Sequence, residues 1–203
     1  MRATTWLTAV TTVVSLAGTV PAGGLPMGAA IPAADTEMEN IDGRRLALAE
    51  VRGEKGTLVV FSCNHCPFVQ AWQGRMVALG NEYAAKGLGV VFVNSNDPAA
   101  FPSDDLATMK QVAQREGYRF PFVVDATSDV ARAFGATRTP EAFLFDEAGH
   151  LVYHGAIDDN AHEPDRVAHR YLRDALDALL AGRPVDPAEV PFIGCSIKLR
   201  PPP

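Results

Sequence analysis

Cys63 and Cys66, three positions apart in "FSCNHCPFVQAW", are the residues of this chain best suited to chemistry. Such a pair can exchange disulfides, with one sulfur attacking and the other resolving; it can also form half of a metal site, or simply pack. Cys66 precedes Pro67, a residue suited to the first turn of a helix, where its missing N–H costs nothing. A sulfur at that point faces unpaired backbone N–H groups and the positive end of the helix dipole, which favour the thiolate. His65, beside it, adds positive charge when protonated. The bland reading is a buried cysteine with a satisfied histidine neighbour. The second thiol at Cys63 weighs against it, because exchange needs a nearby resolving sulfur. No second C-x-x-C completes a zinc site, so no metal is expected.

The elements around the pair follow from hydrophobic period. "TLVVF", Thr57–Phe61, is a β-branched apolar run with no polar face, as a strand buried on both sides reads. After Pro67 the period changes: Phe68, Trp72, Met76, Leu79 and Tyr83 recur at three or four positions on one helical face that ends at Gly87. "LGVVFVNSND" predicts a second buried strand, and Ser103 is expected to cap a helix carrying Leu106, Met109 and Val112. "FPFVVDAT" predicts a third strand, followed by a short helix to Phe134 stopped by Gly135. "EAFLFD" and "LVYHGAID" flank the turn "EAGH" as a hairpin, and a long amphipathic helix is expected over residues 165–180. Alternating elements closed by a hairpin give an α/β class: a mixed sheet covered by helices.

Composition sets the outer limits. The chain has 203 residues, 47% apolar and 21% charged, which fits one soluble domain. A net charge of -6 with scattered basic residues leaves no cationic patch for phosphates, so nucleic acid is excluded as a partner. Residues 1–22 read as a cleaved export signal: Arg2, an apolar run from Trp6, then "VPA". Gly18, Pro21 and several Ser and Thr make that run a poor permanent span, so no stable membrane insertion is expected after cleavage. Residues 23–37, rich in Gly, Pro and Ala, are expected as a flexible linker, 38–182 as the folded domain and 183–203 as a tail. The expected location is periplasmic or secreted, where a disulfide can persist.

Cys63, Cys66 and Cys195 are an odd number, so at least one thiol is free or shared. Cys195 lacks a helix start and is expected as a packed or auxiliary thiol. Thr139-Pro140 precedes a strand in "GATRTPEAFLFD"; taken alone, the stretch favours an ordinary trans proline ending a loop.

Together "CNHCPFV", "TPEAFLFD" and the late "GCSIK" resemble the redoxin (AhpC/TSA-like) branch of the thioredoxin-fold superfamily, over residues 39–182 and the tail motif. That branch holds peroxiredoxins and periplasmic thiol-disulfide oxidoreductases. The resemblance implies a thioredoxin-like fold with an extra strand and helix before a cis-proline loop at Thr139-Pro140, packed beside the thiols. It implies catalytic roles for Cys66, Cys63, His65 and Pro140, with Thr139, Pro67 and Asn64 bordering a groove for the partner's extended chain. It also implies thiol or disulfide partners and no organic cofactor, since electrons travel as cysteine pairs. Two alignments remain. Counted from Phe61, the attacking cysteine of exported reductases falls on Cys66, and Val69 stands at the usual resolving position. Read as an ordinary C-x-x-C, the motif makes Cys63 the attacker. Helix position and Pro67 favour Cys66. Peroxide reduction is the second function: against the peroxiredoxin pattern Pro-x-x-x-Thr-x-x-Cys, Val59 and Cys63 stand at the Pro and Thr positions, and Arg138 is no clear match for the family's arginine. A non-enzymatic interaction module is the third, and His65, with no obvious packing use in a loop, counts against it.

Overall fold

Residues 24–201 are described by the computed structural model, so the expected signal segment lies outside the described residues. In chain order the elements are β1 (Met38–Asn40), β2 (Arg45–Leu46), β3 (Thr57–Phe61), α1 (Pro67–Ala85) and β4 (Gly89–Asn94). Then come α2 (Leu106–Glu116), β5 (Phe122–Val124), α3 (Asp129–Phe134), β6 (Arg138–Thr139) and β7 (Glu141–Phe145). The chain closes with β8 (Leu151–Gly155), α4 (Tyr171–Leu180) and β9 (Cys195–Ser196). The main sheet runs β2-β1-β5-β4-β3-β7-β8, with β3, β4 and β5 parallel and the remaining pairs antiparallel. It is the mixed, helix-flanked α/β sheet that the alternating pattern predicts.

Every residue of β3 is buried, and alternation divides the strand between two cores. Leu58 and Val60 join Trp72 and Tyr83 of α1, Met109 of α2 and Leu176 of α4 on one face. Val59 and Phe61 join Phe134 of α3, Phe143 and Phe145 on the other. Phe61, Phe134 and Phe143 meet edge to face, with centroids 5.2–5.7 Å apart. The sheet's centre is therefore packed on both faces where β3 hands the chain to the thiols. α3 ends as expected at Gly135, whose φ of 66° lies in the left-handed region that glycine tolerates.

Four expectations are corrected. Residues 24–37 are not a free linker: among the described residues the second face is covered by the short α3 and by Leu48, and Leu25, Met27 and Ile31 help complete it. Gly28 N–H donates to the Leu151 carbonyl at 2.8 Å and Leu151 N–H to Ala29 at 2.9 Å, along the β8 edge. Ser103 does not cap α2. It lies in a 3₁₀ turn, Pro102–Asp104, and the cap is Asp105, whose carboxylate accepts from Thr108 N–H at 2.7 Å. The last helix begins at Tyr171, because residues 167–170 spend their backbone groups on the preceding loop. Ala168 N–H donates to the Asp159 carboxylate at 3.0 Å, and Asp159 N–H to the His169 carbonyl at 3.2 Å. Finally, residues 183–201 return to the domain. His154 and Val190 exchange backbone bonds with the tail and β8 respectively, at 2.9 and 3.0 Å, and β9 pairs with β6.

Candidate functional site

Strand β3 ends at Phe61, and five residues later Cys66 stands at the N-cap of α1 with Pro67 in the first turn. Its sulfur is buried at that helix end. As a thiol, Cys66 can donate to the Thr139 carbonyl, 3.2 Å away. As a thiolate it accepts from Cys63 and then from Cys195, and the backbone amides of Val69 and Cys195 add to this. These contacts outweigh burial and draw its pKa from about 9 down to about 4. Cys63 moves the opposite way: holding its proton for Cys66, desolvation and the nearby Asp104 carboxylate all push its pKa up. Burial first, and then the contact with Cys66, raise Cys195 to about 11. One anionic sulfur flanked by two protonated thiols is the resulting charge pattern. Cys63 also contacts the Thr139 hydroxyl at 3.1 Å.

The Thr139–Pro140 bond is cis, the isomer the resemblance implies, and Thr139 touches both Cys63 and Cys66. The loop is held by Glu141, 1% exposed, whose carboxylate accepts from Thr137 N–H at 2.8 Å and Arg138 N–H at 2.9 Å. His154, stacked on Phe143, meets the other Glu141 oxygen at 2.8 Å. In the sequence Glu141 is only the first letter of an apolar strand; a lone acid opening such a run is the signal that could have marked it.

His65 is placed differently from the expectation. Its Nδ1 lies 2.5 Å from Asp104 Oδ2 and its ring stacks on Phe101, centroids 3.9 Å apart. Its ring nitrogen is engaged with Asp104, not with the Cys66 sulfur. It does have a packing use, so its presence no longer argues against a structural loop. Asp104 is the residue that the sequence reading missed. Its Oδ1 also accepts Asn64 N–H at 2.7 Å and His65 N–H at 3.3 Å, and its Oδ2 accepts Asn96 Nδ2–H at 2.8 Å. Adjacent acids before a helix, of which one suffices as cap, were the available signal. Asn64, expected at the groove, is 8% exposed and donates its side-chain amide to the Ser103 carbonyl at 2.8 Å. Pro67 is exposed.

The groove edge is where the structure departs most from expectation. β9 lies antiparallel to β6, with Cys195 opposite Thr139 and Ser196 opposite Arg138. The chain's own tail thus occupies the Thr139 backbone edge assigned to a partner. It brings Cys195 Sγ to 2.7 Å from Cys66 Sγ; Cys195 is partly exposed, and all three cysteines are free thiols. Arg138 donates to the Gly194 carbonyl at 3.0 Å. Cys63, His65 and Asp104 place possible metal-ligand atoms within 4.8 Å of one another, yet the Asp104 oxygens already accept from protein donors. Among the described residues no helix is long and apolar enough to cross a membrane.

The charge pattern fixes an expected pH dependence. Alkylation follows the thiolate, so Cys66 should be labelled at its full rate at about pH 5.5, where Cys63 and Cys195 stay protonated. Reactivity should fall only as pH drops through about 4. Because this pKa lies below that of the unfolded thiol, the associated stability is complete above about pH 8.5 and declines toward about pH 4. Limited iodoacetamide labelling with peptide mapping checks the order; first labelling of Cys195 would contradict it.

Comparison with known proteins agrees with this architecture. Thiol-disulfide oxidoreductase ResA of Halalkalibacterium halodurans is 30% identical over 57% of this chain and 61% of its own length. The chain thus spans about three fifths of the length of the curated relatives it matches. A crystal structure of an uncharacterized conserved protein from Geobacillus kaustophilus superposes with a TM-score of 0.80 at 41% identity, over 87% of this chain and 93% of that one. A thioredoxin-like protein solved in its oxidized form matches with a TM-score of 0.62 and 20% identity, over 78% and 99%, which shows the thioredoxin-like fold. The AhpC/TSA family model matches residues 29–154, more than half of the sequence, and the chain belongs to the AhpC/TSA family.

Proposed function

We propose that this chain is a thiol-disulfide oxidoreductase whose attacking group is the Cys66 thiolate. The observation that carries the reading is one sulfur at a helix start, in contact with a second thiol and placed against the cis-proline loop. Such a sulfur attacks a disulfide, forms a mixed disulfide and leaves a second thiol of the chain to resolve it. The resemblance of the matched region to proteins named thiol-disulfide oxidoreductase supports this choice over an inert loop bridge. Substrates are protein or small-molecule disulfides and thiols. A low-pKa thiolate is also what peroxide oxidises, so sulfenic acid on Cys66 is the mark of the alternative activity. We further propose export, on the apolar run and "VPA" of residues 1–22; an intact Met1 on protein from the native cytoplasm would refute it.

The test is direct. Reduced protein mixed with glutathione disulfide and quenched in acid should carry its first adduct on Cys66. A first adduct on Cys63 would restore the ordinary C-x-x-C alignment, and no adduct on any cysteine would remove disulfide exchange.

A further inference from the structure

Three thiols meet around one point, whereas a single exchange needs two. Their placement distinguishes the two that flank Cys66. Cys63 is 2% exposed and engaged with Thr139, in the loop before α1. Cys195 is partly exposed and arrives on a separate strand. Several contacts hold that strand: Ile197 N–H donates to Thr137 at 2.9 Å, and Lys198 N–H to Asn96 Oδ1 at 2.7 Å. Gly194 lies so close to the proline loop that a Cβ there would be 2.3 Å from the Thr139 carbonyl oxygen. A glycine at 194 is what lets β9 approach, and with it the sulfur of Cys195.

We propose that Cys195 is the resolving thiol for Cys66 and the point at which an external dithiol returns electrons, with Cys63 retained as a hydrogen-bond donor. The proposal rests on the exchange reading above and names its second sulfur. In the first step the Cys66 thiolate attacks one sulfur of a substrate disulfide, and the other substrate sulfur leaves as a thiolate. Cys195 then gives up its proton and attacks the Cys66 sulfur. The Cys66–Cys195 bond forms, the mixed disulfide breaks, and the second substrate sulfur leaves and is protonated. The substrate gains two electrons, with one proton from Cys195 and one from solvent because Cys66 starts as a thiolate, and the cysteine pair becomes a disulfide. To reset the pair, a thiolate of an external dithiol attacks Cys195 and expels Cys66; the donor's second thiol then frees Cys195 and leaves the donor as a disulfide.

Access and leaving-group quality both favour this order. Exchange is fastest when the attacked sulfur is reachable and the departing one is a stable thiolate. In a Cys66–Cys195 disulfide, the reachable sulfur is Cys195 and the stabilised leaving group is Cys66. A Cys63–Cys66 disulfide would leave both sulfurs buried.

The full chain provides the test. After reaction with glutathione disulfide, acid quench and peptide mapping should show Cys66 bridged to Cys195 in the parent and in Cys63→Ser. In Cys195→Ser the glutathione adduct on Cys66 should persist, its resolution slowed on the order of 100-fold by loss of a held neighbour. Gly194→Val keeps the thiol but displaces its strand, and should accumulate the same adduct. A Cys63–Cys66 bridge in the parent, or resolution in Cys195→Ser at the parent rate, would overturn the proposal while leaving exchange intact. Failure to form any Cys66 adduct would instead overturn the exchange reading, and this inference with it.

Discussion

Cys66→Ser is expected to abolish disulfide reduction, with a loss on the order of 10⁴-fold or more, as for other removed nucleophiles. Serine would occupy the same helix start and face the same donors from Cys63, Cys195 and the amides. Those donors cannot compensate, because an alcohol holds its proton far more tightly than a thiol and oxygen forms no disulfide. Cys63→Ala should behave differently. The first adduct still forms on Cys66, but the thiolate has lost its leading hydrogen-bond donor. A hydrogen bond to a charged group is worth about 1.5–3 kcal/mol, so the pH midpoint of Cys66 alkylation should rise by about one to two pH units. The two substitutions together separate attacker from donor. If Cys63 were the attacker, its replacement would abolish adduct formation, and Cys66→Ser would trap the adduct on Cys63. Turnover of a disulfide substrate and the alkylation pH profile read the two cases apart.

What could be read before the structure was what depends on local period and on residue identity. β3 and the "EAFLFD" and "LVYHGAID" strands declare themselves because burial on one or both faces dictates residue type at each position. Cys66 at a helix start was legible because Pro67 marks the first turn. Long-range pairing was not legible. Nothing local says that Cys195 lies beside Thr139, since a two-residue strand has too few side chains to show a period and its stability comes from the loop it meets. Residues 24–37 misled for a related reason. Gly, Pro and Ala lower the intrinsic tendency to order, yet the apolar sheet face beside the short α3 takes in Leu25, Met27 and Ile31 as this chain passes over it. In the sequence His65 stands as a charge beside a thiol, whereas its partner, Asp104, is 39 positions away and lies in a turn that composition renders as ordinary loop.

That turn supports the second large expected effect. Asp104 is 2% exposed, and its carboxylate joins the thiol loop to the end of β4: Asn64 and His65 amides on one oxygen, the His65 ring and Asn96 on the other. Asn96 passes the connection on, accepting Lys198 N–H from the strand that carries Cys195. Asp104→Ala leaves these buried donors without an acceptor, and breaking a buried charged cluster costs about 3–5 kcal/mol. For a domain of this size the melting temperature should fall by roughly 6–20 °C. Asp104→Asn should lose less, because its amide oxygen can still serve one side while its NH₂ group opposes the donors on the other. A merely general loss of stability would raise hydrogen exchange throughout the fold. Loss of the clamp should also speed exchange at the Asn64 and His65 amides beyond the global change, because Asp104 is their acceptor. Thermal melting with amide exchange mapped by mass spectrometry reads both. An Asp104→Ala protein that melts within about 2 °C of the parent, with the 64–65 amides still protected, would show that the loop is held by something other than this carboxylate.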